Sequence, residues 1–398
     1  MIKLNLIKKL FLIFAVGFLL TSCNKEENSD LNQKDFQDEN VLSESSAKNF
    51  ANHLLFGDGT AADSNARVVK RKIVESVFGV PDANDLPAYY IVNYRNGGFV
   101  ILSGDRRTEP ILAFSETNSF DLDQKEYPGG LVTWLYDTKV NIEDIRKKDE
   151  RPSEFVEKMW SNLEKGEMDV LLNQSNVKER NTSAGCTPYN IQRGPYIQTT
   201  WGQSCGYNSL TPSNTCGPCD HYYTGCVATA MAQIMKYHQY PSNYNWSGMP
   251  NSYGTTSTAT LMADIGDAVN MNYGCDGSSA DTKGEAPSSF KDDFNYSSAD
   301  YADYNITKVT NELNVSRPMI LKGGKNTGWW IFGIYSGGHA WVCDGYLNYI
   351  DPCGSNSLKL RMNWGWSGSY DGWYSSDNFN PGTRTYNYKR GMVYNIRP

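Results

Sequence analysis

One stretch, Thr224-Gly225-Cys226 followed by VATAMAQIMKYHQYP, restricts the possible folds of this chain more than any other. Val227, Ala230, Met231, Ile234 and Met235 fall at i, i+3, i+4, i+7 and i+8, the apolar stripe of a helix buried on one face. Pro241 closes the segment, because proline cannot donate to a helical turn. The pattern predicts a core helix with Cys226 at its N-terminus. A thiol attacks only as its thiolate, whose free pKa of about 8.5 falls at a helix N-terminus and beside an imidazole, since both stabilise negative charge. Local sequence gives Cys226 the first of these features. The competing interpretation is a buried structural cysteine, the commoner fate of the residue type.

The imidazole has three candidates in the same half of the chain, His221, His238 and His339. His238 lies twelve residues along the same helix, roughly 18 Å away at about 1.5 Å per residue, and is excluded as the base. His221 is crowded among Cys216, Cys219, Tyr222 and Tyr223. His339 follows Ser336-Gly337-Gly338 and precedes Ala340-Trp341-Val342, a glycine-flanked entry into an apolar strand that gives the ring a rigid base. A thiolate and imidazolium also need an orienter and an oxyanion site. Asn363, in Met362-Asn363-Trp364-Gly365-Trp366, has an amide that can accept from the imidazole while indoles shield the bond. Gln203, in Thr200-Trp201-Gly202-Gln203, can donate to a developing oxyanion together with the backbone N–H of Cys226. The blander alternatives are a core histidine, loop amides that brace the backbone, and an aromatic block from Trp364 to Tyr374 that is partly core.

The 398 residues carry a formal net charge of -7, so no global basic field exists to attract a phosphate backbone, and nucleic-acid binding is excluded. Lys3, Lys8 and Lys9 precede an apolar run from Leu10 to Leu20, too short to cross a bilayer but suited to a secretory signal. Leu20-Thr21-Ser22-Cys23 resembles a bacterial lipobox, which makes Cys23 the candidate lipid anchor; the alternative is an ordinary signal peptide with an incidental cysteine. Asn24-Lys25-Glu26-Glu27 resembles the acidic export tags of surface lipoproteins. These features predict an exported chain, held by lipid to the outer membrane or cell surface or released on maturation.

Charge density divides the remainder. Residues 24–185 carry 49 charged side chains and a net of -9, whereas residues 186–398 carry 29 and a net of -1. The step predicts two domains with a seam near residues 175–184. Residues 24–63 are polar and predict a flexible tether, with one apolar patch at Phe50 to Phe56. In residues 64–185, Asn96-Gly97 predicts a hairpin between strands Ala88 to Tyr94 and Gly98 to Leu102, Ile111 to Phe114 a third strand, and Leu131 to Ile145 and Glu154 to Leu172 two helices. Beyond residue 315, short β-like runs at Met319 to Leu321, His339 to Gly345, Leu360 to Trp364 and Gly391 to Ile396 alternate with Gly and Asn clusters. The class is α+β, with the helix first and an antiparallel sheet second.

On these residues the sequence resembles the streptopain and interpain group of papain-like bacterial cysteine peptidases. The resemblance rests on WGQ at Trp201 to Gln203, TGCVATAMAQIMKYH at Thr224 to His238, ADIGDAVNMNYG at Ala263 to Gly274, GGHAWVCDGY at Gly337 to Tyr346 and NWGWSGSYDGWY at Asn363 to Tyr374. It implies a papain-like catalytic domain over residues 186–398, with Cys226 as nucleophile, His339 as general base, Gln203 as oxyanion donor, Asn363 as imidazole orienter and Trp364 stacked over that pair. YYIVNYRNGGFVILSGD at Tyr89 to Asp105 and ILAFS at Ile111 to Ser115 resemble the group's propeptide. That likeness implies a small α+β prodomain over residues 64–185, acting as an intramolecular inhibitor until it is cut near the seam. The implied activity is endopeptidase action on protein or peptide substrates with no cofactor or metal, preferring an apolar residue two positions before the cut. Amide transfer from the same acyl-enzyme and an inactive surface binding module are the alternatives.

The chain departs from the streptopain pattern in its cysteines. Besides Cys23 and Cys226 there are seven: Cys186, Cys205, Cys216, Cys219, Cys275, Cys343 and Cys353. Export predicts up to three disulfides and one free thiol, with Cys343 bonded to Cys353 and Cys205 to Cys216 or Cys219. Cys216-x-x-Cys219-x-His221 together with Cys205 also has the ligand types and spacing of a zinc cluster, against which the oxidising compartment argues.

Overall fold

A computed structural model describes residues 38–57, 69–124, 127–166, 168–170, 189–323, 327–329, 333–335, 338–351, 356–376 and 391–398. The signal segment, Cys23, the acidic tag, the seam at residues 175–184, Cys186 and Cys353 lie outside the described residues. Residues 39–398 form one compact unit.

The chain enters this unit through helix α1 (Glu44–His53), whose first turn is capped by Ser43 Oγ accepting from Ser46 N at 3.2 Å. The composition suggested a tether here. Ala47, Phe50 and Ala51 are instead buried with Leu54 and Phe56 against Tyr90, Val92 and Tyr94, so the apolar patch docks the segment. Strands β1 (Leu55–Gly57) and β2 (Val69–Arg71) pair, and β3 (Val74–Pro81), β4 (Pro87–Tyr94), β5 (Phe99–Ser103) and β6 (Ile111–Ser115) follow as an antiparallel meander. The β4–β5 turn falls at the expected Asn96-Gly97, with φ of 63° and 86°. A Cβ on Gly97 would lie 2.2 Å from the Thr117 carbonyl oxygen, so only glycine fits. Helix α2 (Gly129–Lys148) and helix α3 (Glu154–Glu164) complete this half. The second helix was expected to reach Leu172; it ends earlier, where Gly166 takes a φ of 68°.

The second half begins with β7 (Tyr189–Arg193) and places α4 (Cys226–His238), α5 (Thr256–Ala268) and α6 (Glu285–Asp292) before β8 (Ser298–Asp303) and α7 (Ile306–Asn314). Then come β9 (Met319–Gly323), β10 (Thr327–Trp329), β11 (Gly333–Tyr335), β12 (His339–Ile350), β13 (Asn356–Asn363), β14 (Gly372–Ser375) and β15 (Gly391–Arg397). The four late strands read from the sequence are all present, each longer than expected.

Both halves share one sheet, in the order β3-β4-β5-β6-β14-β13-β12-β9-β15-β8, with β7 also paired to β12. The join is the β6–β14 pair, where Trp373 faces Phe114 and Tyr374 faces Ala113. Alternation along β12 sends Ala340 and Val342 into the core beneath α4, and Trp341 and Cys343 into a second core that α2 covers with Leu131, Trp134 and Leu135. Trp134 donates to the Ser375 carbonyl at 3.0 Å and packs edge-on to Tyr374 at 5.0 Å. Across the same junction Glu109 accepts from Ser357 Oγ at 2.6 Å and pairs with Lys359 at 3.5 Å, both charged side chains being 1% exposed. The expected Cys343–Cys353 bond does not form: Cys343 is a buried free thiol whose cross-strand partners are Met319 and Met362.

Candidate active site

Four stretches of chain converge at the N-terminus of α4. Gly225 precedes the helix with a φ of 88°, and a Cβ there would meet Met271 Sδ at 2.7 Å and the Ser278 oxygen at 3.1 Å, so glycine sets how the chain turns into Cys226. Thr224 N donates to the Gln203 carbonyl at 3.0 Å, which draws the Trp201–Gln203 stretch alongside the helix start. The intervening insert is closed by a Cys205–Cys219 bond, one of the two expected partners, and a Cys216–Cys275 bond ties it to the loop after α5. His221 belongs to this insert, where Nδ1 donates to the Thr211 carbonyl at 2.6 Å, since that carbonyl can only accept.

Cys226 is half-buried, and its Sγ accepts from Ala340 N at 3.4 Å, at the start of β12. Burial pushes the thiol up from its ordinary range; the N–H groups of Ala340, Val227 and Cys226 itself and, more weakly, the Lys322 charge pull it back. His339, the next-door residue on β12, is 6% exposed. Its Nε2 lies 3.2 Å from the Trp364 carbonyl oxygen, which can only accept, so Nε2 carries the proton. The ring lies nearly parallel to Trp341 at 6.1 Å, and burial lowers its pKa to about 4. Among the described residues no hydrogen bond joins Cys226 to His339. Alternation explains why: the peptide of Ala340 faces the sulfur while the flanking His339 and Trp341 rings lie together.

The other predicted residues are close by with different partners. Gln203 is 9% exposed and its Nε2 reaches only to 3.5 Å from the Gly365 carbonyl oxygen. Asn363 was expected to accept directly from the imidazole. Its Oδ1 accepts instead from Gln233 Nε2 at 3.1 Å and Gly365 N at 3.2 Å, and its Nδ2 donates to the Thr199 carbonyl at 2.8 Å. Trp364 does not stack over a Cys–His pair: its ring packs on Trp341 at 5.1 Å and Tyr374 at 5.3 Å, and its carbonyl holds His339. Trp364 N donates to the buried Asp371 Oδ1 at 2.8 Å, and Asp371 is raised to about 7 by burial. Two residues escaped the sequence reading. Gln233 is a wholly buried amide in the apolar helix, and a polar side chain at such a position was the available signal. Gly130 of α2 touches Trp341 and Trp364 so closely that a Cβ would lie 2.7 and 2.8 Å from their rings, a fact no local pattern reveals.

Residues 201–246 and 241–374 match the Peptidase C10 family, and residues 39–142 match the Spi protease inhibitor family. Streptopain of Streptococcus pyogenes is 27% identical over 362 residues, covering 78% of this chain and 80% of its own. The Thiol protease/hemagglutinin PrtT of Porphyromonas gingivalis is 28% identical over 223 residues, 46% of this chain but 23% of that protein. The solved prointerpain A fragment of Prevotella intermedia superposes with a TM-score of 0.54 at 22% identity, covering 81% of this chain and 99% of that one, and shares the fold. The helix-borne cysteine, the antiparallel sheet behind it and the matched propeptide region agree: this chain belongs to the streptopain and interpain family of papain-like cysteine peptidases and carries that family's propeptide.

Proposed function

We propose that the chain is an exported, lipid-anchored cysteine endopeptidase made as a zymogen, and that the arrangement described above is its latent state. The observation that carries this reading is the position of Cys226. Its sulfur sits at the N-terminus of a core helix, 3.4 Å from the backbone of the residue that follows His339. In the latent state both groups are neutral, because burial raises the thiol and lowers the imidazole. Swinging the His339 ring from the Trp364 carbonyl toward Sγ creates the thiolate–imidazolium pair. The thiolate then attacks the peptide carbonyl carbon, and the oxyanion takes hydrogen bonds from Gln203 Nε2 and Cys226 N–H. The imidazolium gives its proton to the leaving amine as the C–N bond breaks, leaving a thioester on Cys226. Water, deprotonated by His339, adds to the thioester, and the returning proton frees the thiol and the acid product. Asn363 orients the imidazole and Trp364 shields it.

Helix α2, with Gly130 against Trp341 and Trp364, is the part of the propeptide region that holds His339 in its latent place. Cys23 anchors the chain by lipid until maturation. Separation of the cysteine from the histidine favours a second reading, a binding module on an inactive peptidase fold. Expression of residues 24–398 as wild type and as Cys226→Ala decides between them. The peptidase reading expects the wild type to shorten, hydrolyse casein and take up an irreversible thiol-directed peptide inhibitor at Cys226, while the variant does none of these. A matured wild type that takes no label supports the binding module.

A further inference from the structure

An asparagine that orients an imidazole must present its oxygen and not its nitrogen, yet the two ends of the amide are nearly the same shape. Something must therefore set the flip. Here the setting can be followed from one backbone group to another. Trp201 N–H, which can only donate, points at Gln233 Oε1 at 3.3 Å, and Thr199 Oγ1 donates to the same oxygen at 3.0 Å. That fixes Nε2 as the other end of Gln233, and it donates to Asn363 Oδ1 at 3.1 Å. Asn363 Nδ2 in turn donates to the Thr199 carbonyl, which can only accept, at 2.8 Å. Both amides are buried, Gln233 at 0% and Asn363 at 3% exposure, so water offers neither an alternative partner.

The chain of bonds continues to the imidazole. Asn363 Oδ1 also accepts from Gly365 N at 3.2 Å, and the carbonyl of that same Trp364–Gly365 peptide accepts from His339 Nε2 at 3.2 Å. Asn363 thus reaches His339 through one peptide unit in the latent state. Gly365 takes a φ of 68°, and a Cβ there would press on Thr229 Cγ2 at 3.1 Å. Cys226, Thr229 and Gln233 lie at i, i+3 and i+7 on α4, so one helix face carries the sulfur, the contact with this peptide and the amide that fixes Asn363.

We infer that Gln233 is a positioning residue: it locks the acceptor end of Asn363, and through it the peptide and the imidazole, in register with the Thr199–Gln203 stretch. This rests on the peptidase reading above. The same lock serves whether His339 is held through the 364–365 peptide or, after maturation, by Asn363 directly.

The test uses matured enzyme from residues 24–398, with rates per active site titrated by a thiol-directed peptide inhibitor. Gln233→Glu keeps size and both acceptor bonds but removes the donor aimed at Asn363; Gln233→Met keeps the volume and removes both, and stands in if the first does not fold. Each is expected to lower kcat by about 10–100-fold with KM within about twofold. In an Asn363→Ala background neither costs anything further. The Glu variant recovers relative to wild type as pH falls, because a buried carboxyl protonates above its usual range and regains an O–H donor. Additive losses with Asn363→Ala, a rise in KM alone, or a deficit independent of pH overturns the inference. An unlabelled wild type points instead to failure of the peptidase reading, so the two failures are distinct.

Discussion

Gly130 offers the sharpest test of how the propeptide region holds the latent site. A methyl group at this position would sit 2.7 Å from Cζ3 and 2.8 Å from Cε3 of Trp341, and 2.8 Å from Cζ3 of Trp364, against an ordinary contact range of 3.4–4 Å. Something must move by about 0.6–0.7 Å. The indoles are poorly placed to yield: Trp341 Nε1 donates to Met362 Sδ at 3.0 Å, and Trp364 is backed by Tyr374 at 5.3 Å. The displacement therefore falls on α2. Overpacking of this kind costs about 1–3 kcal/mol, and replacing glycine by alanine in a helix returns up to about 1 kcal/mol. Near the middle of these ranges the net is about 1–2 kcal/mol, which corresponds to a latent state weakened about 5–30-fold. In a chain of residues 24–398, Gly130→Ala is expected to gain casein-hydrolysing activity faster than wild type. In a Cys226→Ala background, which cannot cut itself, it is expected to lower the thermal midpoint by a few degrees. Adding Trp341→Phe relieves the two clashes with the Trp341 ring and leaves the one with Trp364 Cζ3, so it restores only part of the loss. Activation at the wild-type rate with an unchanged midpoint refutes the proposed contact.

Three further outcomes follow from the same structure. Lys359→Met alone strands Glu109 in the sheet junction and is expected to cost about 3–5 kcal/mol, whereas Glu109→Met with Lys359→Met is close to neutral; denaturant unfolding in the Cys226→Ala background measures both, and equal costs contradict a buried pair. Cys216→Ser with Cys275→Ser removes a link spanning 59 residues and is expected to cost about 4 kcal/mol, against about 3 kcal/mol for Cys205→Ser with Cys219→Ser, which spans 14; the reverse order shows that strain or residual structure outweighs chain entropy. His339, lowered to about 4 from 6.5, stabilises the latent fold fully above pH 6.5 and loses that contribution as pH falls toward 4, about 3 kcal/mol in all. His238 shares the direction, and Asp371, raised to about 7, works the other way, losing its contribution as pH rises from about 4 to 7. Both remain in a His339→Ala chain, so the difference in stability between the two chains over that window isolates His339, and parallel pH curves contradict its neutral burial.

What was legible in the sequence was local. The stripe from Val227 to Met235 and the stop at Pro241 fix α4, and Asn96-Gly97 fixes the β4–β5 turn, because each depends on residues within one or two turns of chain. The order Gln203, Cys226, His339, Asn363 was also legible, and the fold brings the four stretches together through the bonds of Thr224 to Gln203, Ala340 to Cys226 and His339 to Trp364. Partnership was not. Asn363 is bonded by Gln233, which is 130 positions away, and nothing in the spacing of either residue discloses it. The charge-rich first half reads as a separate domain, yet Glu109 is buried against Lys359 and β6 pairs with β14, since a charge count does not show which charges the fold pairs. Cys343 reads as half of a disulfide only until β12 is set between β9 and β13, where methionines stand opposite it.

The electrostatics of the site also explain how one event can both open the cleft and arm it. With His339 lowered to about 4 and the thiol raised by burial, proton transfer from sulfur to ring is disfavoured in the buried arrangement, even though Cys226 Sγ lies 3.4 Å from the adjoining backbone. Burial is the main cause of both shifts, and the cover over Trp341 and Trp364 is α2 with Gly130. On the reading proposed above, removing that cover is expected to admit water and so to move the imidazole back up from about 4. The same removal frees the indoles that flank the ring, so His339 can leave the Trp364 carbonyl. On that reading basicity and mobility would return together. A Gly130 substitution therefore ought to raise the apparent pKa of His339 in the intact chain as well as speed its activation, because both effects trace to the same contact.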